Sequence, residues 1–267
     1  MSTQQPQLGA AMDVRFGISV ESFLEYITDL GLSHLELKRE YLEGFPDTPT
    51  PATLGALTDR YDVSLTYHAP FRDWNMGSFN DAIRRNSVAQ VKQTLDDAAA
   101  AEAGGVVVHA GSVPRRYPEW VREKAHNNAC KSLRECAVYA DRVGVPLCVE
   151  NQPISDRDIR HTTTVADLAS AVSIDGTDAS LDVTFDIGHA NVNGHEYQEF
   201  VEKFGDQIRV CHLHDNDGTS DQHEPLSDYD KFVTAIPADY FVFEMTSVAD
   251  IGVSVGRPDV TVPECEL

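Results

Sequence analysis

Residues 208–226 read IRVCHLHDNDGTSDQHEPL, a β-branched run that breaks into an acidic, histidine-bearing loop. Alternate residues of a strand face opposite sides. His212 and His214 therefore share one face, predicted to point into the core of a barrel, and Cys211 points the other way, towards helices. The fold is decided by whether other strands end in the same manner.

Seven further runs match in character: VRFGIS (14–19), HLELK (34–38), LTYHA (65–69), VVVHA (106–110), PLCVE (146–150), LDVTFD (181–186) and YFVFE (240–244). Between them lie segments of helical composition such as SVESFLEYITDLG, PATLGALTDRY, DAIRRNSVAQVKQTLDDAAAAEAG and EWVREKAHNNACKSLRECAVYADRVG. Gly31, Gly104 and Gly144 stand where helices should stop. Strands separated by helices make parallel βαβ crossovers. Eight units in 267 residues predict a closed (β/α)8 TIM barrel in one domain spanning 1–267, and no GxGxxG follows the first strand to suggest a dinucleotide fold. After YFVFE the chain has room only for a short or irregular final helix, SVADIGVSVGRPD. Such a helix leaves apolar barrel surface that a second copy of the chain could cover, so a homodimer is expected.

Composition narrows the setting. Residues 1–12 are polar and are read as a flexible N-terminal extension without a signal sequence, and no run reaches the roughly 18 apolar residues of a membrane span. A cytoplasmic location is expected. Five cysteines without a CxxC pair read as reduced packing residues. The net charge is −22, with six lysines against fifteen arginines. That charge repels nucleic acid and anionic membranes at ordinary salt. It also resembles the halophilic pattern of salt-saturated cytoplasms, where charge is screened within about 3 Å at 1 M salt.

His68, His109, Glu150, Asp186, His212 and Glu244 lie at or near the ends of six successive strands, the face where (β/α)8 active sites assemble. One such residue would pass for a cap or a hydrogen-bonded core group; six in a row point to a site. In the loops follow His189, Asp221 and His223. Mixed histidine and carboxylate donors suit Zn²⁺ or Mn²⁺, whereas DNDGTSDQHEPL lacks the closing Glu of a calcium loop. Lys38, Arg39, Arg72, Arg115, Arg116, Arg157 and Arg160 follow the second to fifth strands and suit a small anionic or polyhydroxylated substrate, although Arg157 and Arg160 in SDRDIR could equally pair with their neighbouring aspartates.

These pieces, YHAPF, VVVHAGS, VENQP, FDIGHAN, CHLHDNDG, DQHEPL and FEM, resemble the xylose-isomerase-like barrel superfamily, which holds sugar-phosphate isomerases and epimerases and the endonuclease IV group. The resemblance implies a metal centre on Glu150, Asp186, His212 and Glu244. In the nuclease group a three-zinc cluster adds residues matching His68, His109, His189, Asp221 and His223. Here EPLSDYD follows His223 where both groups commonly have a GEG-like turn, and DVRFGISVESFLEYITDLGLSHLELK resembles the isomerase branch. The favoured reading is a divalent-metal-dependent sugar or sugar-phosphate isomerase or epimerase using one to three ions and an enediolate. In it Glu150 and Glu244 transfer the proton, and His214, Asp215, Arg72, Arg115, Arg116 and Lys38 face the substrate. The alternative is a three-zinc apurinic-site phosphodiesterase acting on nucleic acid, with Trp74 and Tyr117 against bases. A third reading is a metal-containing barrel that binds a ligand without catalysis.

Overall fold

The computed structural model describes residues 6–174 and 176–267. Eight parallel strands close into a barrel: β1 (Gln7–Met12), β2 (His34–Lys38), β3 (Ser64–His68), β4 (Val106–Val108), β6 (Leu147–Glu150), β8 (Asp182–Asp186), β9 (Ile208–Leu213) and β10 (Tyr240–Phe243). The intervening helices are α1 (Val20–Asp29), α2 (Arg39–Gly44), α3 (Pro51–Tyr61), α4 (Asp81–Ala100), α5 (Glu119–Val143), α6 (Val165–Val172), α7 (Ile187–Val192), α8 (Tyr197–Phe204), α9 (Asp230–Ala235) and α10 (Val248–Ser254). The predicted (β/α)8 barrel is what forms, and its last helix is short, with seven residues.

The first strand lies one segment earlier than the sequence suggests. Residues 7–12, assigned to a flexible extension, form β1 between β2 and β10, while residues 1–5 of that extension lie outside the described residues. The expected strand at 14–19 is instead a 3-10 turn, Val14–Phe16, capped by the Asp13 side chain and ended by Gly17 at φ 65°. QLGAAM carries almost no β-branched signature because the barrel wall is crowded there: a side chain at Gly9 would overlap the backbone of His34.

Side-chain parity sorts each strand into two environments. Leu35, Leu37, Leu65, Tyr67, Phe185, Cys211 and Phe243 belong to the main core between strands and helices. Ala11, Val107, Cys148, Val210 and Val242 pack together on the opposite face, inside the barrel, in a separate small cluster. Removing such apolar surface from water contributes about 25 cal/mol per Å². On that inner face each apolar residue precedes a polar one by two positions: Cys148 before Glu150, Val210 before His212, Val242 before Glu244. The barrel is therefore apolar in its middle and polar at one mouth.

Gly31 and Gly144 do end helices in the left-handed region, at φ 83° and 74°. At α4 the cap is Ala101 and the left-handed turn falls on Glu102, at φ 55°, two residues before Gly104, so Gly104 does not end that helix. An element absent from the expectation is a two-stranded antiparallel ribbon, β5 (Ser112–Pro114) with β7 (Asp158–Arg160), above the mouth. No helix among the described residues is long and apolar enough to cross a membrane.

Candidate metal centre and active-site cavity

The polar mouth opens into a cavity of about 320 Å³, within the range of small-molecule sites. Glu150, Glu244, Lys38, His68, His109 and Arg160 are among its walls. Asp186 and His212 lie beneath, each with no exposed surface.

Glu150 stands at the centre. Its Oε2 is 2.9 Å from His109 Nε2 and 3.2 Å from His68 Nε2, and its Oε1 is 3.2 Å from His189 Nδ1. His212 Nδ1 faces three carboxylate oxygens, of Glu150 and Asp186 at 3.7 Å and of Glu244 at 3.8 Å, and has no hydrogen-bond partner. Beyond them, His189 Nε2 and His223 Nε2 approach Asp221 Oδ2 at 3.2 and 3.3 Å. Single donor atoms of His189, His214, Asp221 and His223 lie within 4.8 Å of one another, as do those of His68, His109 and Glu150, and those of Glu150, Asp186 and His189.

These side chains are aimed by their backbones. His68 Nδ1 donates to the Ala69 carbonyl at 2.8 Å, His189 Nδ1 to the Asn151 carbonyl at 2.8 Å and His223 Nδ1 to the Glu244 carbonyl at 2.7 Å. With Nδ1 given to a carbonyl, the Nε2 of each ring is turned towards the carboxylates, where a bound cation would take its lone pair in place of a proton. His223 achieves this from the left-handed region, at φ 54°, a conformation that costs a non-glycine residue about 1 kcal/mol or more. Asp186 caps α7 by accepting from His189 N at 2.7 Å, which ties the β8 end to its loop histidine. Gly188, in the same loop, leaves room for the His214 ring, which any side chain there would overlap.

Burial opposes ionisation of Glu150, Asp186, Asp221 and Glu244, yet all four are held below the usual carboxylate range. The strongest favourable partners are His109 for Glu150, His189 for Asp186 and Asp221, and Lys38 for Glu244. Burial likewise opposes charge on His212 and His189, but Glu36 and Glu244 around the first, and Asp186 with Asp221 around the second, raise both well above an ordinary imidazole. Three of these carboxylates, Glu150, Asp186 and Glu244, are buried and need compensating positive charge. The unpartnered Nδ1 of His212 amid three carboxylates, and lone pairs fixed by carbonyls, fit a divalent cation.

The expected residues divide. All nine proposed ligands converge as above, and Lys38 and Arg72 line the cavity. Lys38 Nζ lies 3.0 Å from Glu244 Oε1 and 3.9 Å from Asp13. His214 does not face the cavity: it is buried, with Nε2 3.0 Å from Asp186 Oδ1 and its ring stacked on His223 at 4.0 Å. Arg115, Arg116 and Asp215 are exposed and line no part of it. Arg115 instead donates to the Ser155 carbonyl at 2.9 Å, Arg116 lies over the Tyr117 ring, and the Asp215 backbone bridges to Glu224. Trp74 lines the cavity, whereas Tyr117 packs edge-on against Phe79.

Sequence reasoning did not single out Glu36, Asp13 or Arg15, and left Arg160 undecided. Glu36 is fully buried beside His212, and Arg15 enters the cavity wall held by both oxygens of Asp13 at 2.8 and 2.9 Å. Arg160 has no ion pair among the described residues although Asp158 is two positions away. The ribbon directs it: Arg160 pairs with Ser112, next to the loop after β4.

Residues 24–246 match the family model of the xylose isomerase-like TIM barrel. The chain is 35% identical over 169 residues to an uncharacterized protein of Methanocaldococcus jannaschii, covering 62% of this chain and 56% of that one. It is 25% identical over 174 residues to the fructoselysine 3-epimerase of Escherichia coli O157:H7, covering 63% and 60%. Among solved structures, a D-tagatose 3-epimerase-like protein superimposes with a TM-score of 0.77 at 27% identity, over 93% of this chain and 94% of that one.

Proposed function

We propose that the chain, which belongs to the xylose isomerase-like TIM barrel family, is a divalent-metal-dependent isomerase or epimerase of a sugar or sugar phosphate. The observation that carries this reading is the division of the four strand-end ligands. Glu150 and Glu244 open into the cavity, while Asp186 and His212 are sealed beneath it. Two carboxylates on one small cavity suit removal of a proton beside a carbonyl and its return elsewhere. The names of the related epimerases agree with that chemistry.

A bound Zn²⁺ or Mn²⁺ would polarise the substrate oxygens and stabilise charge as the proton leaves. Glu150, Asp186, His212 and Glu244 would hold it. His68 and His109 with Glu150, and His189, Asp221 and His223 with His214, are the donor sets for a second and third ion. Glu244, kept ionised by the ammonium of Lys38, accepts the proton from carbon, and Glu150 is the opposing carboxylate that serves the other face or carbon. Arg160 and Arg72, which line the cavity and make no ion pair within 4.0 Å among the described residues, favour an anionic group on the substrate.

The convergence of three donor sets favours a second reading, a three-zinc phosphodiesterase acting on nucleic acid. The charge of −22 weighs against it. Metal-loaded enzyme incubated with a ketose panel in tritiated water should wash the label into carbon, and Glu150→Gln and Glu244→Gln should abolish this. Exchange that survives both substitutions, or cleavage of an abasic duplex that Glu150→Gln removes, would defeat the isomerase reading.

A further inference from the structure

The barrel interior holds a carboxylate that this reaction does not use. Glu36 projects from the middle of β2, has no exposed surface and takes no part in the cavity wall. It meets His212 across the barrel: Nε2 lies 3.1 Å from Oε1 and 3.3 Å from Oε2. On the opposite edge of the same ring, Nδ1 faces the oxygens of Glu150, Asp186 and Glu244 at 3.7 to 3.8 Å without a hydrogen bond.

We propose that Glu36 is the positioning residue of the metal centre, accepting the Nε2 proton of His212 so that Nδ1 is presented as the ligand atom. The inference rests on the metal reading above. A ring that gives one nitrogen to a cation carries its single N–H on the other, and the nearer carboxylate, that of Glu36, accepts it. Three of the other histidines of the centre are oriented differently: His68, His189 and His223 each spend a ring N–H on a backbone carbonyl. His212 has no such carbonyl. Its orientation depends on one side chain, and a carboxylate partner also makes the imidazole a stronger donor to a cation.

Glu36 is itself held in place from below. The Thr66 hydroxyl donates to Oε2 at 3.2 Å, and so accepts from His34 Nε2 at 3.0 Å. His34 Nδ1 lies 2.8 Å from Ser64 Oγ, and its ring stacks on Tyr240 at 4.5 Å. Burial, with the His212 charge secondary, pushes His34 down to about 3, so it stays neutral and acts as a donor rather than a counter-ion for Glu36. The polar column Ser64–His34–Thr66–Glu36–His212 thus runs along the inside of the barrel and ends at the metal-facing nitrogen.

Glu36 also comes within 4.8 Å of Glu244 and His212, as a direct ligand would. Its place on the Nε2 edge of the ring, away from the oxygens that Nδ1 faces, assigns it the orienting role instead.

The test is Glu36→Gln, with Thr66→Val as a milder second variant, measured by titration of chelator-stripped protein with zinc or manganese and by thermal unfolding of the metal-free forms. Glu36→Gln should weaken metal binding about 10- to 100-fold with its stoichiometry unchanged. Thr66→Val should weaken it less, and neither variant should lower the metal-free melting temperature in proportion. In nitrogen-15 spectra of the metal-loaded wild type, His212 should carry its proton on Nε2. Wild-type affinity in Glu36→Gln overturns the positioning role. Complete loss of one stoichiometric ion overturns it in favour of direct ligation. A wild-type protein that binds no divalent ion defeats the metal reading itself, which is a separate outcome.

Discussion

His161 makes the acid stability of the fold measurable through one side chain. It lies beneath the ribbon, 7% exposed, with Nε2 lacking any hydrogen-bond partner. Burial, then the nearby His126, lowers its pKa from 6.5 to about 4. Below pH 6.5 the unfolded chain therefore binds a proton that the folded chain refuses. The stability associated with a neutral His161 is complete above about pH 6.5 and drains away as pH falls, levelling only near pH 4. A shift of that size corresponds to about 3 kcal/mol, of which about 2.5 kcal/mol is lost by pH 4.5. The perturbation is His161→Gln, which removes the titration. Urea unfolding of wild type and variant, both with chelator so that metal release does not contribute, is compared at pH 7.5 and pH 4.5. The stability difference between them should move by about 2.5 kcal/mol in favour of the variant on acidification. His34 has the same sign of dependence but is present in both proteins and cancels. Parallel stability curves across this range would refute the claim that His161 is folded in its neutral form.

Chelation of the metal should lower the melting temperature, and restoring zinc at 100 times its Kd should add about 2.7 kcal/mol of stability; no response to either would remove the metal centre. Lys38→Met should destabilise the metal-free protein by about 3 kcal/mol, because it leaves the Glu244 carboxylate buried opposite a methyl group. The same variant should move the acid limb of the exchange rate to higher pH, since Lys38 is the largest influence keeping Glu244 ionised, and an unmoved limb counts against Glu244 as base. Arg160→Gln should change unfolding stability by less than about 0.5 kcal/mol, having no ion pair to lose, while raising KM for a phosphorylated ketose and sparing a neutral one. Equal KM changes for both would deny Arg160 an anion-binding role.

The site was more legible than the chain around it, and the reason is parity. A strand buried on both faces fixes which residues share a side, so the two-residue spacing of Cys148 and Glu150, or of Val210 and His212, already carried the inner layer and its polar rim. Where that spacing was not accompanied by β-branched residues the reading failed: Gly9, Ala10 and Ala11 give no strand signal, though closure of the barrel requires small residues there. The ribbon failed for a related reason, since three-residue strands are too short to show a period, yet its register decides that Arg160 and not Arg115 reaches the cavity.

Glu36 is the instructive case. HLELK alternates His34, Glu36 and Lys38 against Leu35 and Leu37, and in an open sheet that polar face would look out to water. Only when β1 and β10 close the circle does the same face become an interior, where Glu36 must find a partner or be left as an isolated buried charge. It finds one in His212, 176 residues away. No local pattern can encode that pairing, because its two halves acquire meaning only together. His212 stood out as a candidate ligand because six successive strands end in ligand-type residues and because of the family resemblance; alone it would have passed for a hydrogen-bonded core histidine. Glu36 becomes significant once the other nitrogen of that ring is asked where its proton goes.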